Sequence, residues 1–200
     1  MHEYKATYVR VTRSAHDRDE TVKSFGRRVL QQIKQNQSKY VIVDFRHHRG
    51  GDYTLTLPLV RDLASALPSD GHLYLITGPN TFSAGIVSGS QFKRYVPDRL
   101  TIVGQQVGDN LRFRAEGFFE KLPHSNIGVY LSTTWGDVEK GCRWFDDCFI
   151  LNKLLVSGVD SMAPDIGASN TWQSYREAED LVLKKVIVDI DKKNKDRLNK

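Results

Sequence analysis

Ser83 stands in the stretch Gly78-Pro79-Asn80-Thr81-Phe82-Ser83-Ala84-Gly85, between a run of β-forming apolar residues and a helical pattern. A serine at that junction sits at a helix N-terminus, where unpaired N–H groups and the helix dipole favour negative charge. An oxyanion formed when Ser83 attacks a carbonyl would be stabilised there. Ala84 and Gly85 are small and leave room for a peptide backbone to approach. Serine is also a common N-cap, so this loop alone supports a capping reading as well. A second loop, Asp44-Phe45-Arg46-His47-His48-Arg49-Gly50-Gly51-Asp52, follows another apolar run. No Cβ obstructs the N–H groups of Gly50 and Gly51, so they offer the other half of an oxyanion hole. The plainer reading of a Gly-Gly pair is a tight turn. His48, in the same loop, carries an imidazole whose ordinary pKa suits a general base. Its plainer reading is a solvent-facing side chain.

The elements that must position these loops are legible from periodicity. Residues 4–11 alternate and are rich in β-formers, which reads as a strand. Val22, Phe25, Val29 and Ile33 recur at helical spacing and predict a helix over 19–36. Residues 40–45 and 72–77 are short continuous apolar runs, the mark of buried parallel strands. Between them, 55–67 reads as a helix with Pro58 near its first turn. A helix follows from Ser83 to before Pro97, and then a strand at 100–103. The order β-α-β-α-β-α-β predicts a parallel sheet covered by helices. Sites in such sheets lie at the carboxyl ends of the strands, which selects the loops 46–52, 78–83 and 104–110. Beyond residue 110, residues 113–122 and 127–133 read as β-segments, and 135–170 are irregular, with Trp135, Trp144 and Trp172 expected as packing anchors. A final amphipathic helix is expected over 174–190, with Ser174 and Glu177 as a capping box. Residues 1–190 are expected to form one domain and the basic residues 191–200 a frayed tail.

Five segments together resemble one family. Asp44-Phe45-Arg46-x-His48-x-Gly50-Gly51 resembles the D-L-R-x-N-x-G-G motif of C-terminal processing (tail-specific) serine peptidases. Thr81-Phe82-Ser83-Ala84 is similar to their nucleophile loop, and Ile102-Val103-Gly104 with Gly108 to a following strand and turn. Leu122-Pro123-His124-Ser125 and Pro164-Asp165-Ile166 resemble two later elements, in family order. The resemblance implies a crotonase/Clp-protease-like α/β core: a parallel sheet with flanking helices, C-terminal β-segments and a final helix. It further implies a hydrolase that cleaves near the C-terminal segment of a peptide or protein. Ser83 would be the nucleophile, and the N–H groups of Ala84 and of Gly51 or Gly50 the oxyanion donors.

The base is where the chain departs from the pattern. These peptidases pair the serine with a lysine in the turn after the fourth strand, and here that turn is Gly108-Asp109-Asn110. A serine hydroxyl without a nearby base is a weak nucleophile. Lys93 lies ten residues along the same helix as Ser83, roughly 15 Å away, and cannot serve. Lys121 and His2 are further candidates, with Glu116 and Glu120 as residues that could orient a base, and His48 is the best placed. The tricorn-like and retinoid-binding-protein-like branch also lacks the lysine. Its tricorn-type members take a histidine from a segment ahead of the core, so the resemblance implies such a segment as a partner. The alternative is a non-catalytic relative that holds an extended peptide or an apolar ligand in the same cleft. A crotonase-like acyl-CoA enzyme is a weaker reading, because no CoA signature is present.

Composition sets the outer bounds. The 200 residues are 40% hydrophobic and 26% charged, ordinary for a globular chain with one core. The net charge of +5 is concentrated at the C-terminus and no nucleic-acid motif accompanies it, so no nucleic-acid partner is expected. No apolar run approaches the length of a membrane span, no signal peptide is visible, and the compartment is left open. Cys142 and Cys148 match no metal spacing; a disulfide across a loop and two free thiols both fit. No cofactor and no metal is called for.

Overall fold

A computed structural model describes Met1, residues 3–148 and residues 158–198 of the chain; His2 lies outside the described residues. The chain divides into two compact units, Met1–Gly108 with Met162–Lys200, and Asp109–Ser161.

The first unit is built on a five-stranded parallel sheet whose strands lie side by side in chain order. Its strands are β1 (Ala6–Arg10), β2 (Tyr40–Asp44), β3 (His72–Thr77), β4 (Leu100–Gly104) and the short β7 (Ile166–Gly167). β2 is buried along its whole length and β3 after its first residue, as continuous apolar strands with both faces covered must be. Three crossover helices connect the strands: α1 (Val22–Gln35), α2 (Tyr53–Ala66) and α3 (Ala84–Tyr95). α2 packs against both α1 and α3. Gly89 of α3 lies against Leu75 and Phe45, which puts this helical layer on the Leu75 face of the sheet. On the opposite face, Tyr40, Ile42, Tyr74, Ile76 and Val103 form a core with Val182, Val186 and Ile190 of α5 (Leu181–Leu198). The parallel α/β architecture expected from the strand and helix order is therefore present.

Local chemistry explains the boundaries. Thr21 caps α1 by accepting from Ser24 N–H, so the helix starts at Val22 rather than at 19. Asp52 caps α2 at Thr54 N–H and starts it at Tyr53, two residues earlier than expected. Pro58 therefore falls inside the helix and not in its first turn. The expected single C-terminal helix is two helices. α4 (Trp172–Arg176) is capped by Thr171, with Ser174 as the third helical residue of the capping box, so Ser174 is not the cap. α5 then runs on through residues 191–198.

The second unit is an antiparallel hairpin of β5 (Arg112–Lys121) and β6 (Gly128–Asp137), followed by a loop closed by a Cys142–Cys148 disulfide. Of the three tryptophans expected as anchors, only Trp135 is one: the guanidiniums of Arg112 and Arg114 lie 5.0 and 4.0 Å from its ring centroid. Trp144 and Trp172 are 79% and 73% exposed. No helix among the described residues is long and apolar enough to cross a membrane.

Candidate active site

The parallel registers β2–β3 and β3–β4 bring three loops together at the carboxyl edge of the sheet. Backbone and side-chain bonds then pin them to one another. The buried Thr81 hydroxyl donates to Phe45 O at 2.8 Å and accepts from Gly78 N–H at 3.0 Å. Phe82 N–H donates to His48 O at 2.9 Å, and Gly108 N–H to Thr81 O at 2.9 Å. Arg46 locks the far side. It reaches Asp44 and makes two hydrogen bonds, at 2.9 and 2.7 Å, to the Asp180 carboxylate just before α5. Burial opposes the Arg46 charge, but hydrogen bonds to Asp180 and Asp44 outweigh it and hold the guanidinium's pKa above its ordinary value. Tyr8 donates its hydroxyl to Asp44 as well.

Ser83 does not behave as an N-cap. A capping serine adopts extended backbone and accepts a bond from the second or third helical N–H. Ser83 has φ +50° and ψ −119°, and its side chain makes no cap bond. A positive φ at a non-glycine residue costs about 1–3 kcal/mol and persists only where the surroundings impose it. Here the surroundings are the stapled turn 78–82 on one side and α3 on the other. Ser83 is partly exposed, and its hydroxyl has no hydrogen-bond partner among the described residues.

Gly50 lies against this serine, and Gly51, the next residue, lies against Ser14. The two glycines have φ of +109° and +113°, a region that favours glycine. A Cβ on Gly50 would stand 2.9 Å from Ser83 Cβ and 3.3 Å from Ser83 Oγ; one on Gly51 would stand 2.4 Å from Ser14 O. The Gly50 N–H, expected as an oxyanion donor, is directed instead to His48 Nδ1 at 3.3 Å. The N–H groups of Gly51 and Ala84 donate to nothing among the described residues.

His48 differs from its expected place. It is fully buried, not solvent-facing. Its Nδ1 accepts from Gly50 and its Nε2 pairs with Ser14 Oγ at 3.2 Å, so neither nitrogen meets Ser83 Oγ. Burial lowers its pKa to about 4, so the ring is neutral at neutral pH. It also explains Gly85: a Cβ there would lie 2.7 Å from His48 O and 2.9 Å from His48 Nδ1. The small residue makes room for the histidine rather than for a peptide. The residue missed by sequence reasoning is Ser14, read only as part of a polar turn. It is buried, its N–H donates to Gly50 O at 2.8 Å, and its carbonyl accepts from Asp52 N–H at 2.9 Å. A serine three residues beyond a strand carries no sequence signal for such a role.

Lys93 lies in the last turn of α3, away from Ser83 at its start, and Glu116, Glu120 and Lys121 belong to the second unit. No group of three or more metal-binding side chains occurs among the described residues.

No protein-family model matches the chain, and no curated protein matches it in sequence. Among solved structures it is similar to a candidate peptidase from Parabacteroides merdae, with a TM-score of 0.55 and 16% identity over 93% of this chain and 61% of the other. It is also similar to a candidate S41 protease from Bacteroides fragilis, with a TM-score of 0.50 and 11% identity over 86% of this chain and 49% of the other. A photosystem II D1 C-terminal processing protease aligns with a TM-score of 0.46 and 15% identity over 82% of this chain and 42% of its own. By its likeness to the first two, the chain has a peptidase-like fold of the S41 protease type, and it spans between 42% and 61% of the length of the three structures.

Proposed function

We propose that the chain is the core of a serine peptidase in which Ser83 attacks the carbonyl carbon of an extended peptide. The observation that carries this reading is the strained, uncapped Ser83 beside two unengaged N–H groups. A serine turned out of capping geometry at a strand-to-helix elbow is placed for attack rather than for capping. As Oγ bonds to the carbonyl carbon, its proton passes to a base and the carbonyl oxygen becomes an oxyanion held by Ala84 and Gly51 N–H. Collapse of that intermediate breaks the C–N bond, the base returns the proton to the leaving amine, and water then hydrolyses the acyl-serine. The base in this reading is a histidine from a segment ahead of the core, as in the tricorn-like branch. The substrate class is the C-terminal segment of a peptide or protein. Intact-mass measurement after exposure to a fluorophosphonate tests the reading. An adduct on the wild type and none on Ser83→Ala supports it, and an adduct that persists in Ser83→Ala refutes it.

One observation favours a second reading. Ser83 Oγ has no acid or base within hydrogen-bonding reach among the described residues. A non-catalytic relative would use the same cleft to hold an extended peptide by backbone hydrogen bonds, without chemistry. Peptide binding that is indifferent to Ser83→Ala, with no covalent adduct on the wild type, would select it.

A further inference from the structure

The hydrogen bonds around His48 have only one consistent set of directions. The Gly50 N–H can only donate, so His48 Nδ1 is the acceptor and the proton of the neutral ring sits on Nε2. Nε2–H then donates to Ser14 Oγ, whose own proton goes to Thr56 Oγ1 at 2.8 Å. Thr56 donates to Tyr53 O at 3.2 Å, which leaves its oxygen free to accept from Ser88 Oγ at 2.8 Å as well. Every proton in the network has a place. All four side chains are buried, His48, Thr56 and Ser88 completely.

Burying an imidazole and three hydroxyls is costly unless each is paired, and a fully paired set defines one arrangement of the groups it joins. The arrangement defined here is that of the two proposed oxyanion loops. Gly50 and Gly51 have no side chains with which to hold themselves. Ser14 grips them through its backbone, and His48 grips Gly50 through Nδ1. The His48 carbonyl accepts from Phe82 N–H, next to Ser83, and the ring lies against Gly85. His48 therefore touches the Gly-Gly loop and the serine turn at once, and Ser14, Thr56 and Ser88 fix its ring.

We infer that His48, held by Ser14, Thr56 and Ser88, is a positioning residue that sets Gly51 N–H in register with Ala84 N–H across Ser83. This rests on the peptidase reading. With Gly50 N–H turned inward to the ring, Gly51 is left as the outward donor of the pair. The role differs from that of a base: the ring acts through the backbone and never meets the substrate.

The test compares His48→Leu with His48→Asn. Leucine removes both ring contacts at similar volume, whereas the asparagine amide oxygen can still accept from Gly50 N–H. Fluorophosphonate labelling of Ser83 is followed as a function of probe concentration. In His48→Leu the saturating rate is expected to fall about 100-fold, the cost of one oxyanion donor, with the half-saturating concentration little changed. His48→Asn should recover most of that loss, and thermal unfolding should show both variants folded. Equal losses in the two variants, or no loss in His48→Leu, would overturn the inference. If the wild type itself does not label, the base of the peptidase reading is not in reach of Ser83, and amide NMR alone decides the positioning claim. Gly50 and Gly51 resonances that move in His48→Leu and in Ser14→Ala uphold it, and resonances that stay in place refute it.

Discussion

Two histidines sit at opposite ends of the same sheet, His48 fully buried and His72 half-buried, and burial lowers both pKa values to about 4. His72, at the amino edge, bonds Thr101 Oγ1 at 2.8 Å beside an array of charges. There Lys39 pairs with Asp70 at 2.7 Å, Tyr74 donates to Asp189 at 2.7 Å, and Tyr40 donates to Asn194 at 2.6 Å. His48, at the carboxyl edge, has hydroxyls and backbone for partners, and beside it stand three residues with positive φ: Gly50, Gly51 and Ser83. A shifted pKa thus fails to separate the two ends. Positive φ alone does not separate them either, since Lys5 and Gln37 near the amino edge have φ of 47° and 48°; the uncapped Ser83 hydroxyl beside the unengaged N–H groups of Gly51 and Ala84 does. Both edges tie α5 to the sheet, the carboxyl edge through Arg46 and Asp180; the carboxyl edge also holds the Gly50, Gly51 and Ser83 arrangement, which costs stability.

The largest expected effect lies at the carboxyl edge. Gly50→Ala places a methyl against Ser83 at a φ of +109°, and labelling of Ser83 should fall by more than about 100-fold, read as probe incorporation. Arg46→Met should come next. It strands Asp44, whose side chain is 2% exposed, and should lower stability by about 3–5 kcal/mol in urea denaturation.

Acid should act on both edges. Each histidine is held neutral in the folded chain down to about pH 4, whereas in the unfolded chain it titrates near 6.5. Between those values the unfolded state binds more protons. The contribution is therefore fully present above pH 6.5, declines as pH falls, and levels off below about 4. For His48 it is on the order of 3 kcal/mol. Urea titrations across that range should show the decline. His72→Gln should flatten part of it without altering Ser83 labelling, whereas His48→Leu should change both. Equal behaviour of the two variants would erase the distinction between the edges. The smallest effect belongs to the second unit. Reducing Cys142–Cys148 should cost about 2 kcal/mol, seen in amide exchange of residues 109–148, with Ser83 labelling unchanged.

The strands and crossover helices were legible because burial on two faces demands continuous apolar runs and burial on one demands a 3.6-residue stripe. Ser83, Gly50 and Gly51 were singled out only because their loops fit a family pattern of five segments in order, since a serine at a helix start is a common N-cap and a glycine pair a common turn. His48 was found but given the wrong surroundings, since sequence does not tell whether a loop histidine turns toward solvent or into the layer beneath. Gly85 was assigned to substrate clearance, although His48, far back in the chain, occupies that space. Ser14 was invisible, because its role depends on a contact with residues 48–52 that only the sheet register creates. The two C-terminal helices were merged because Ser174 and Glu177 read as the capping box of one helix over 174–190, whereas Thr171 caps a short first helix whose Trp172 and Tyr175 rings stack on each other, both 73% exposed.

The most direct measurement is a crystal structure of the chain after reaction with a small fluorophosphonate. The expected result is a phosphonyl group on Ser83 Oγ, with its oxygen about 2.7–3.1 Å from the backbone nitrogens of both Ala84 and Gly51, and with the His48–Gly50 bond intact. A phosphonyl group on another residue, or on Ser83 with its oxygen turned away from both nitrogens, would contradict it.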